Sequence, residues 1–143
     1  MAEDYTELGQ QVMAAQPFTR LLGAHLTHLS PGKAELEIPL RLEHNQQHGL
    51  VHGGVISYLV DDVLTFAGGS VLGPDVLTLE IKLNYLRPAV GERLVARGWV
   101  VSAGRRNAVC RCDVLVVNEG VETLCAAGQG TIARRGDGDG TAS

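Results

Sequence analysis

The chain has 143 residues and a mass of 15.2 kDa, which fits one domain with a single core. The formal net charge of -4 argues against a nucleic-acid-binding protein, because contacts with phosphates require a basic surface. The first residues lack the basic and apolar segments of a signal peptide, and no stretch of about 18 apolar residues is uninterrupted. We therefore expect a cytoplasmic protein that binds neither nucleic acid nor membrane.

The first predicted elements are an amphipathic helix and a β-hairpin. Apolar residues recur at helical spacing from Tyr5 to Met13, and Pro17 is the predicted stop, so residues 1–19 form an N-terminal helical segment. Residues 23–29 and 33–40 are predicted strands, separated by a turn that proline and glycine favour.

A long apolar helix is predicted in the middle of the chain, after a polar, histidine-rich segment at residues 41–52. From Gly54 to Gly69, apolar residues occupy one broad arc at about 100° per residue, wide enough for a central, nearly buried helix. The arc contains Val55, Ile56, Leu59, Val60, Val63, Leu64, Phe66 and Ala67.

Four strands are predicted after this helix. They cover residues 76–86, 93–101, 107–117 and 121–133, and the last two are joined by a turn at Asn118-Glu119-Gly120. The first of them alternates between two unlike faces: one holds Leu77, Leu79, Ile81, Leu83 and Tyr85, and the other Thr78, Glu80, Lys82 and Asn84. The order of elements predicts an α+β domain over residues 20–134, with a mostly antiparallel sheet wrapped around one helix. A second subunit is expected on the side of the helix that the sheet leaves open. The tail, residues 135–143, has nothing to bury and is expected to be disordered.

The three cysteines are predicted to be small buried hydrophobic residues. Cys110, Cys112 and Cys125 lack the paired CxxC spacing of a zinc or redox site. Cys110 and Cys112 share one face of a strand. We expect free thiols in a reducing compartment rather than metal ligands or catalytic groups.

Asp61 is the strongest chemical signal on the long helix. Its sector holds small or polar residues and the apolar arc lies opposite, so the carboxylate is expected to face a cleft. The sector contains Gly54, Ser57, Tyr58, Thr65 and Gly68. Asp62 borders the apolar arc among bulkier neighbours and is the rival carboxylate. Either aspartate could instead be a solvated or salt-bridged helix residue.

A second signal precedes this helix, in the sequence His52-Gly53-Gly54. The N–H groups of a first helical turn have no intrahelical acceptors, and glycine permits close approach of a ligand. Together with the helix dipole, these donors can bind a carbonyl oxygen and stabilise negative charge that develops on it. The glycine pair could also be only a tight turn.

A metal site is the alternative interpretation of the histidines in this segment. His44, His48 and His52 recur at intervals of four, which would align three imidazoles on a helix. Asn45 and Gly49 argue against a helix there, so the histidines are expected in a loop and no metal is predicted.

These residues carry a resemblance to a known family. The segment QQHGLVHGGVISYLVD at residues 46–61, supported by LNYLRPA at residues 83–89, resembles the hotdog-fold acyl-CoA thioesterases, specifically the phenylacetate-pathway and 4-hydroxybenzoyl-CoA thioesterase branch. The resemblance spans roughly residues 20–133, and the predicted order of elements agrees with the hotdog fold.

The resemblance implies a role for each matching residue. Asp61 falls on the family's catalytic carboxylate, Gly53 on its carbonyl-polarising N–H, and His52 on the histidine beside the thioester carbonyl. Thr78 matches a hydroxyl that helps to hold the attacking water. Gln46 matches the side chain that orients water or carbonyl, with Asn45, one residue out of register, as the alternative.

The resemblance also implies a shared site and a coenzyme A surface. Asp61 would come from one subunit of a homodimer and the residues around Gly53 from the other, and two dimers would form a tetramer. Gly54, Ser57 and Tyr58 are expected to contact the substrate, and the pocket for the acyl group, aryl or medium-chain, is expected to be formed by leucine, valine, Tyr58 and Phe66 side chains. Coenzyme A is expected to contact Arg87 and the turn between the last strands, which contains Ser102, Gly104, Arg105 and Arg106. The two arginines in this turn could also be only solvated.

The implied reaction is hydrolysis of an acyl-CoA thioester without a metal or organic cofactor. Asp61 would act either as a general base on water or as a nucleophile. Two alternatives stay open: a non-catalytic module that binds acyl-CoA, and a dehydratase or hydratase, whose differently spaced aspartate and histidine are not found.

Overall fold

The structure, a computed structural model, describes residues 3–136. The helices are α1 (Thr6–Ala14), α2 (Pro17–Leu22) and α3 (Gly53–Leu72), and the strands are β1 (His25–Ser30), β2 (Lys33–Pro39), β3 (Val76–Tyr85), β4 (Arg93–Ala103), β5 (Asn107–Asn118) and β6 (Val121–Arg134). The strands form one antiparallel sheet in the order β1-β2-β4-β5-β6-β3, packed against α3. This confirms the predicted α+β architecture. Residues 137–143 of the tail predicted to be disordered lie outside the described residues.

The N-terminal segment differs from the prediction. The first helix ends before Pro17, but this proline also begins a second helix. Proline is favoured at the first helical position because the N–H that it lacks would have no intrahelical partner there. Gln16 has the extended conformation that a following proline requires, and Gly23 ends α2 with φ of 73°.

The central helix packs on one face of the sheet through a wholly buried apolar stripe. The fully buried members are Leu59, Val60, Val63, Leu64 and Ala67. Two glycines let the backbones approach closely: a Cβ on Gly128 would lie 2.7 Å from Val60, and one on Gly68 would lie 2.7 Å from Ile132. Larger residues at these positions would push the helix off the sheet.

By length and composition alone, α3 is apolar enough to cross a membrane. Half of its most apolar window is buried inside the chain, as expected for the core helix of a wrapped sheet.

The three cysteines are buried and free, as predicted. Burial raises the pKa of Cys110 and Cys125 to about 11 and that of Cys112 to about 12. A thiol protonated at neutral pH is a poor nucleophile and a poor metal ligand, so these residues act as packing groups.

Candidate active site

Asp61 lies on the exposed side of α3 with its carboxylate held by a hydroxyl from the sheet. Thr78 Oγ1 donates a hydrogen bond to Asp61 Oδ1 at 2.7 Å. Thr65, one helical turn further on, donates to the Asp61 carbonyl oxygen at 2.8 Å, and its Oγ1 lies 3.0 Å from Thr78 Oγ1. The cleft beside Asp61 is also lined by Gly54, Ser57 and Tyr58, which the sequence placed in the same helical sector.

Thr78 faces the helix because β3 contains a bulge. Thr78 pairs with Ile132 and Glu80 with Thr131, which leaves Leu79 without a partner on β6. Side chains alternate between faces in a regular strand, so Thr78 and Ile81 would point to opposite faces if every residue between them were paired. The simple alternation that the sequence suggested for β3 is therefore wrong before Glu80. Leu77 and Leu79, assigned to the apolar face, are 55% and 60% exposed.

Asp62, the rival carboxylate, has different surroundings. Tyr58 donates a hydrogen bond to Asp62 Oδ2 at 3.0 Å, and the tyrosine Oη lies 2.6 Å from Thr19 Oγ1 on α2. Burial, together with the neighbouring charge of Asp61, raises the pKa of Asp62 to about 6. Burial and the Asp62 carboxylate also raise the pKa of Tyr58. Asp62 thus connects α3 to α2, while Asp61 faces the open cleft.

The first turn of α3 leaves the Gly53 N–H available as a backbone donor. His52 is the N-cap residue, and its Nδ1 accepts a hydrogen bond from the Gly54 N–H at 2.7 Å. Within residues 3–136, no hydrogen-bond acceptor is recorded for the Gly53 N–H. Tyr85 Oη donates to the Gly53 carbonyl oxygen at 2.9 Å. The N–H of Gly54, included among the predicted donors, is therefore occupied, whereas the N–H of Gly53 is free among the described residues.

A second cleft surrounds this free amide. Gln46, His52, Gly53 and Arg87 line it, together with Tyr85. The Gln46 side chain accepts a hydrogen bond from the His48 N–H, which fixes it within the loop. The other residue considered for this role, Asn45, forms an isolated β-bridge with Val51 and is not among the residues that line the cleft. Geometry thus favours Gln46 over Asn45.

The free amide and the exposed carboxylate do not meet within one chain. Gly53 and Asp61 are eight residues apart on the same helix, so about 12 Å of helical rise separates them. A thioester carbonyl spans only a few ångströms. A single subunit therefore presents two incomplete halves of the predicted site.

The turn predicted to bind coenzyme A lies at the Thr78 end of the sheet. Ser102, Gly104, Arg105 and Arg106 are all exposed there. Thr78 on β3 pairs with Ile132 on β6, Ile132 pairs with Ala108 on β5, and Ala108 pairs with Ala103 on β4. The turn is therefore three strands from Thr78, about 14 Å away. The turn shares the end of the sheet with Asp61 but contacts neither cleft.

His44 has a structural role. It is 1% exposed; its Nδ1 accepts from the Arg41 N–H at 3.0 Å, and its Nε2 lies 2.7 Å from the Leu22 carbonyl oxygen. Both ring nitrogens are occupied, so this residue anchors the loop before α3. Among residues 3–136, no group of three or more histidine, cysteine, aspartate or glutamate side chains could hold a metal ion.

Two contact residues were missed from the sequence. Thr65 was noted only as a small neighbour, although its position one turn after Asp61 permits the bond to the Asp61 carbonyl oxygen. Tyr85 was assigned to a strand face, and only the folded chain shows its hydroxyl against Gly53.

Comparison with known proteins gives a consistent result. Residues 48–123 match the family model described as Thioesterase superfamily. Human Acyl-coenzyme A thioesterase 13 is 29% identical over 134 residues, covering 92% of this chain and 94% of that protein. A thioesterase family protein from Silicibacter pomeroyi is 34% identical with a TM-score of 0.85, covering 90% of this chain and 96% of that one. The phenylacetic acid degradation protein PaaI from Thermus thermophilus is 35% identical with a TM-score of 0.73, covering 83% and 99%. The chain therefore belongs to the thioesterase superfamily and is a thioester hydrolase with the hotdog fold.

Proposed function

We propose that this chain hydrolyses acyl-coenzyme A thioesters as a homodimer with shared active sites. Asp61 of one subunit would act on a thioester whose carbonyl oxygen is bound by the Gly53 N–H of the other. The name of the human relative, Acyl-coenzyme A thioesterase 13, supports this substrate class. Association of two dimers into a tetramer and a cytoplasmic location stay predictions from the sequence.

The proposal rests on one observation. The Asp61 carboxylate, held by the Thr78 hydroxyl, and the free Gly53 N–H lie too far apart in one chain to act on the same carbonyl group. Asp61 is exposed and bonded to Thr78 at 2.7 Å, and Gly53 lies about 12 Å away along the same helix. A two-fold axis between subunits brings each of two unlike halves against its complement and completes two sites at once.

The reaction then needs only groups that the chain provides. The Gly53 N–H stabilises negative charge on the thioester oxygen, aided by the positive end of the α3 dipole. Asp61 either removes a proton from a water held by Thr78 and Gln46 or attacks the carbonyl carbon itself. In the first route the water adds to the carbonyl carbon, the C–S bond breaks, and the departing thiolate takes up a proton, which gives the free acid and coenzyme A. In the second route the same C–S cleavage releases coenzyme A and leaves the acyl group on Asp61 as a mixed anhydride, which a water molecule then hydrolyses to the free acid and the restored carboxylate. Both routes require Asp61 to be ionised.

Substrate recognition is assigned to three surfaces. The acyl group, aryl or medium-chain, would lie beside Gly54, Ser57 and Tyr58 in the Asp61 cleft. Arg87 lines the Gly53 cleft, where it could contact the pantetheine or phosphates. The exposed turn near the Thr78 end offers further cations to the coenzyme A phosphates; its residues are Ser102, Gly104, Arg105 and Arg106.

The decisive experiment is Asp61→Asn in a CoA-release assay across a panel of acyl-CoAs. Loss of the reacting carboxylate should lower kcat by about 10²–10⁴-fold while substrate binding persists. The matched control is Asp75→Asn, which removes an exposed aspartate paired with Arg135 at 2.8 Å and should leave turnover unchanged.

Two outcomes would contradict the proposal. Near wild-type turnover by Asp61→Asn would remove the assigned role. Binding of acyl-CoA by the wild type without any release of coenzyme A would favour the non-catalytic binding module. Circular dichroism of both variants would show that the fold is retained.

A further inference from the structure

An apolar groove runs between α1 and α3, outside the two clefts described above. Its volume is about 430 Å³, within the range of small-molecule sites. The residues that line it from α3 and its C-cap are Asp62, Thr65, Phe66, Gly69, Ser70 and Gly73. The residues that line it from α1 and the α1–α2 link are Tyr5, Leu8, Gly9, Val12 and Gln16.

The groove is long. Its α3 side extends from Asp62 to Gly73, eleven residues along one helical face, which corresponds to about 16 Å. Helix α1 runs antiparallel to α3: Gln16 lies near Asp62 at one end, and the Tyr5 N–H bonds to the carbonyl oxygen of Leu29 at the other. Two antiparallel helices therefore form the walls of a channel.

The walls of the channel are apolar although they are accessible to solvent. Leu8 is 60% exposed and Val12 44% exposed, and both face the groove. Phe66, predicted to lie in the buried arc against the sheet, is only partly buried and lines the same groove. Exposed apolar residues are common singly, but two exposed residues and a partly buried phenylalanine that line one channel indicate a surface that binds apolar groups.

The channel begins next to the candidate reacting carboxylate. Asp62 and Gln16 line both the channel and the Asp61 cleft. Thr65, also in the channel wall, lies 3.0 Å from Thr78 Oγ1, which is bonded to Asp61. The channel therefore adjoins the Asp61 cleft at these residues.

We propose that this channel binds the hydrocarbon tail of an unbranched acyl thioester, a substrate class that deepens the proposed function and rests on it. An extended chain advances about 1.2 Å per bond, so 16 Å accommodates a tail of up to about 13 carbons. A flat aryl ring would fill only the part nearest Asp61. Each methylene buried in the channel raises kcat/KM by up to about fourfold until the channel is full.

The test is a series of straight-chain acyl-CoAs with a variant that blocks the middle of the channel. Gly69 lies seven residues beyond Asp62, about 10 Å along the helix. A Cβ there would make ordinary contact, 3.4 Å from Val76, so a leucine side chain projects into the channel without a backbone clash. Gly69→Leu should lower kcat/KM for dodecanoyl-CoA by at least about tenfold and change that for hexanoyl-CoA by less than about twofold.

A matched pair of leucine variants separates blocking from damage. Leu8→Gln should lower activity on dodecanoyl-CoA selectively, whereas Leu21→Gln, a similarly exposed leucine on α2 that does not line the groove, should have no effect. A uniform loss over all chain lengths in Gly69→Leu, or no change at all, would overturn the proposal.

A binding measurement separates this inference from the proposed function. Dodecan-1-ol and hexan-1-ol carry no coenzyme A, and their binding is measured by displacement of a fluorescent apolar dye. The wild type should bind the longer alcohol more tightly, and Gly69→Leu should remove the difference. Such a result without any CoA release by the wild type would refute the thioesterase proposal and keep the channel. Equal binding of both alcohols by the wild type would refute the channel.

Discussion

The first residue of α3 and the turn around Asp61 provide different kinds of chemical group, a backbone amide and a side-chain carboxylate. At Gly53, the chemical group is a backbone N–H that is free because a helix begins there and because His52 occupies the next amide. At Asp61, the group is a side chain oriented by Thr78 from another element. The first region should therefore tolerate side-chain changes that keep the amide, and the second should depend on side-chain chemistry.

The largest effect is expected when one subunit lacks the Asp61 carboxylate and its partner lacks the Gly53 N–H. Asp61→Asn and Gly53→Pro should each be almost inactive alone. In a dimer with shared sites, a mixed pair contains one site with both defects and one with neither, so random mixing should restore about a quarter of the wild-type rate. Refolding the two variants together and assaying CoA release measures this. Mixtures that stay as inactive as the separate variants would show that each site is built within one chain.

The control for this experiment is Gly53→Ala. A Cβ at this position lies 3.1 Å from Tyr85 Oη, so alanine and proline both crowd the same exposed tyrosine. Only proline removes the N–H, and it suits this place because Gly53 is the first helical residue and His52 is extended, with ψ of 135°. Loss of the donor should cost about 10²–10³-fold in kcat for proline but not for alanine. Equal losses would mean that crowding, not the amide, is responsible.

A smaller effect is expected from the hydroxyl that orients Asp61. Thr78→Val keeps the shape of the side chain but removes the donor to Asp61 Oδ1, so kcat should fall by about 10-fold, the equivalent of one charge-assisted hydrogen bond. Thr78→Ser retains the hydroxyl and should stay near the wild type. A pH–rate profile measured for the wild type and for each variant would distinguish an altered Asp61 carboxylate from an altered fold. If Val and Ser variants behave alike, the hydroxyl is not the relevant group.

The smallest effect concerns Asp62 and appears in stability. Its pKa of about 6 in the folded chain exceeds its ordinary value of 3.8, so the folded state binds more protons between these values. Stability contributed by this group is therefore present at low pH and is lost as pH rises from about 4 to 6. Asp62→Asn should raise the free energy of unfolding at pH 8 by up to about 3 kcal/mol and change it little at pH 4.

Denaturant titrations of the wild type and Asp62→Asn at pH 4, 6 and 8 would measure this difference. A variant whose stability runs parallel to that of the wild type across this range would show that Asp62 is not the titrating group.

Helical and strand periods revealed most of the fold because apolar residues recur at the period of a helix or of a strand along most elements. The apolar arc of α3 and the turns at Pro31-Gly32 and Glu119-Gly120 were visible in the sequence, and Glu119 and Gly120 both adopt positive φ, as a tight hairpin requires. Asp61 was identified from its small neighbours on the helix, which periodicity also reveals.

What escaped prediction depends on contacts between elements. No local signal indicates that Leu79 is skipped in pairing with β6, because that register is set across strands. The capture of the Gly54 amide by His52 depends on a side-chain rotamer. Phe66 fitted the apolar arc equally well for packing on the sheet or on α1, and only the folded chain separates these surfaces.

Because Leu79 has no partner on β6, the face to which the Thr78 hydroxyl points depends on the number of residues between Thr78 and Ile81. A strand one residue shorter, without Leu79, would place Thr78 two positions before Ile81, so regular alternation would aim the hydroxyl at the helix without any bulge. Related chains of either length can therefore present the same hydroxyl to the same carboxylate. Alignments of such chains should place a one-residue gap at Leu79, because an ungapped alignment would match Thr78 with a residue of the opposite face.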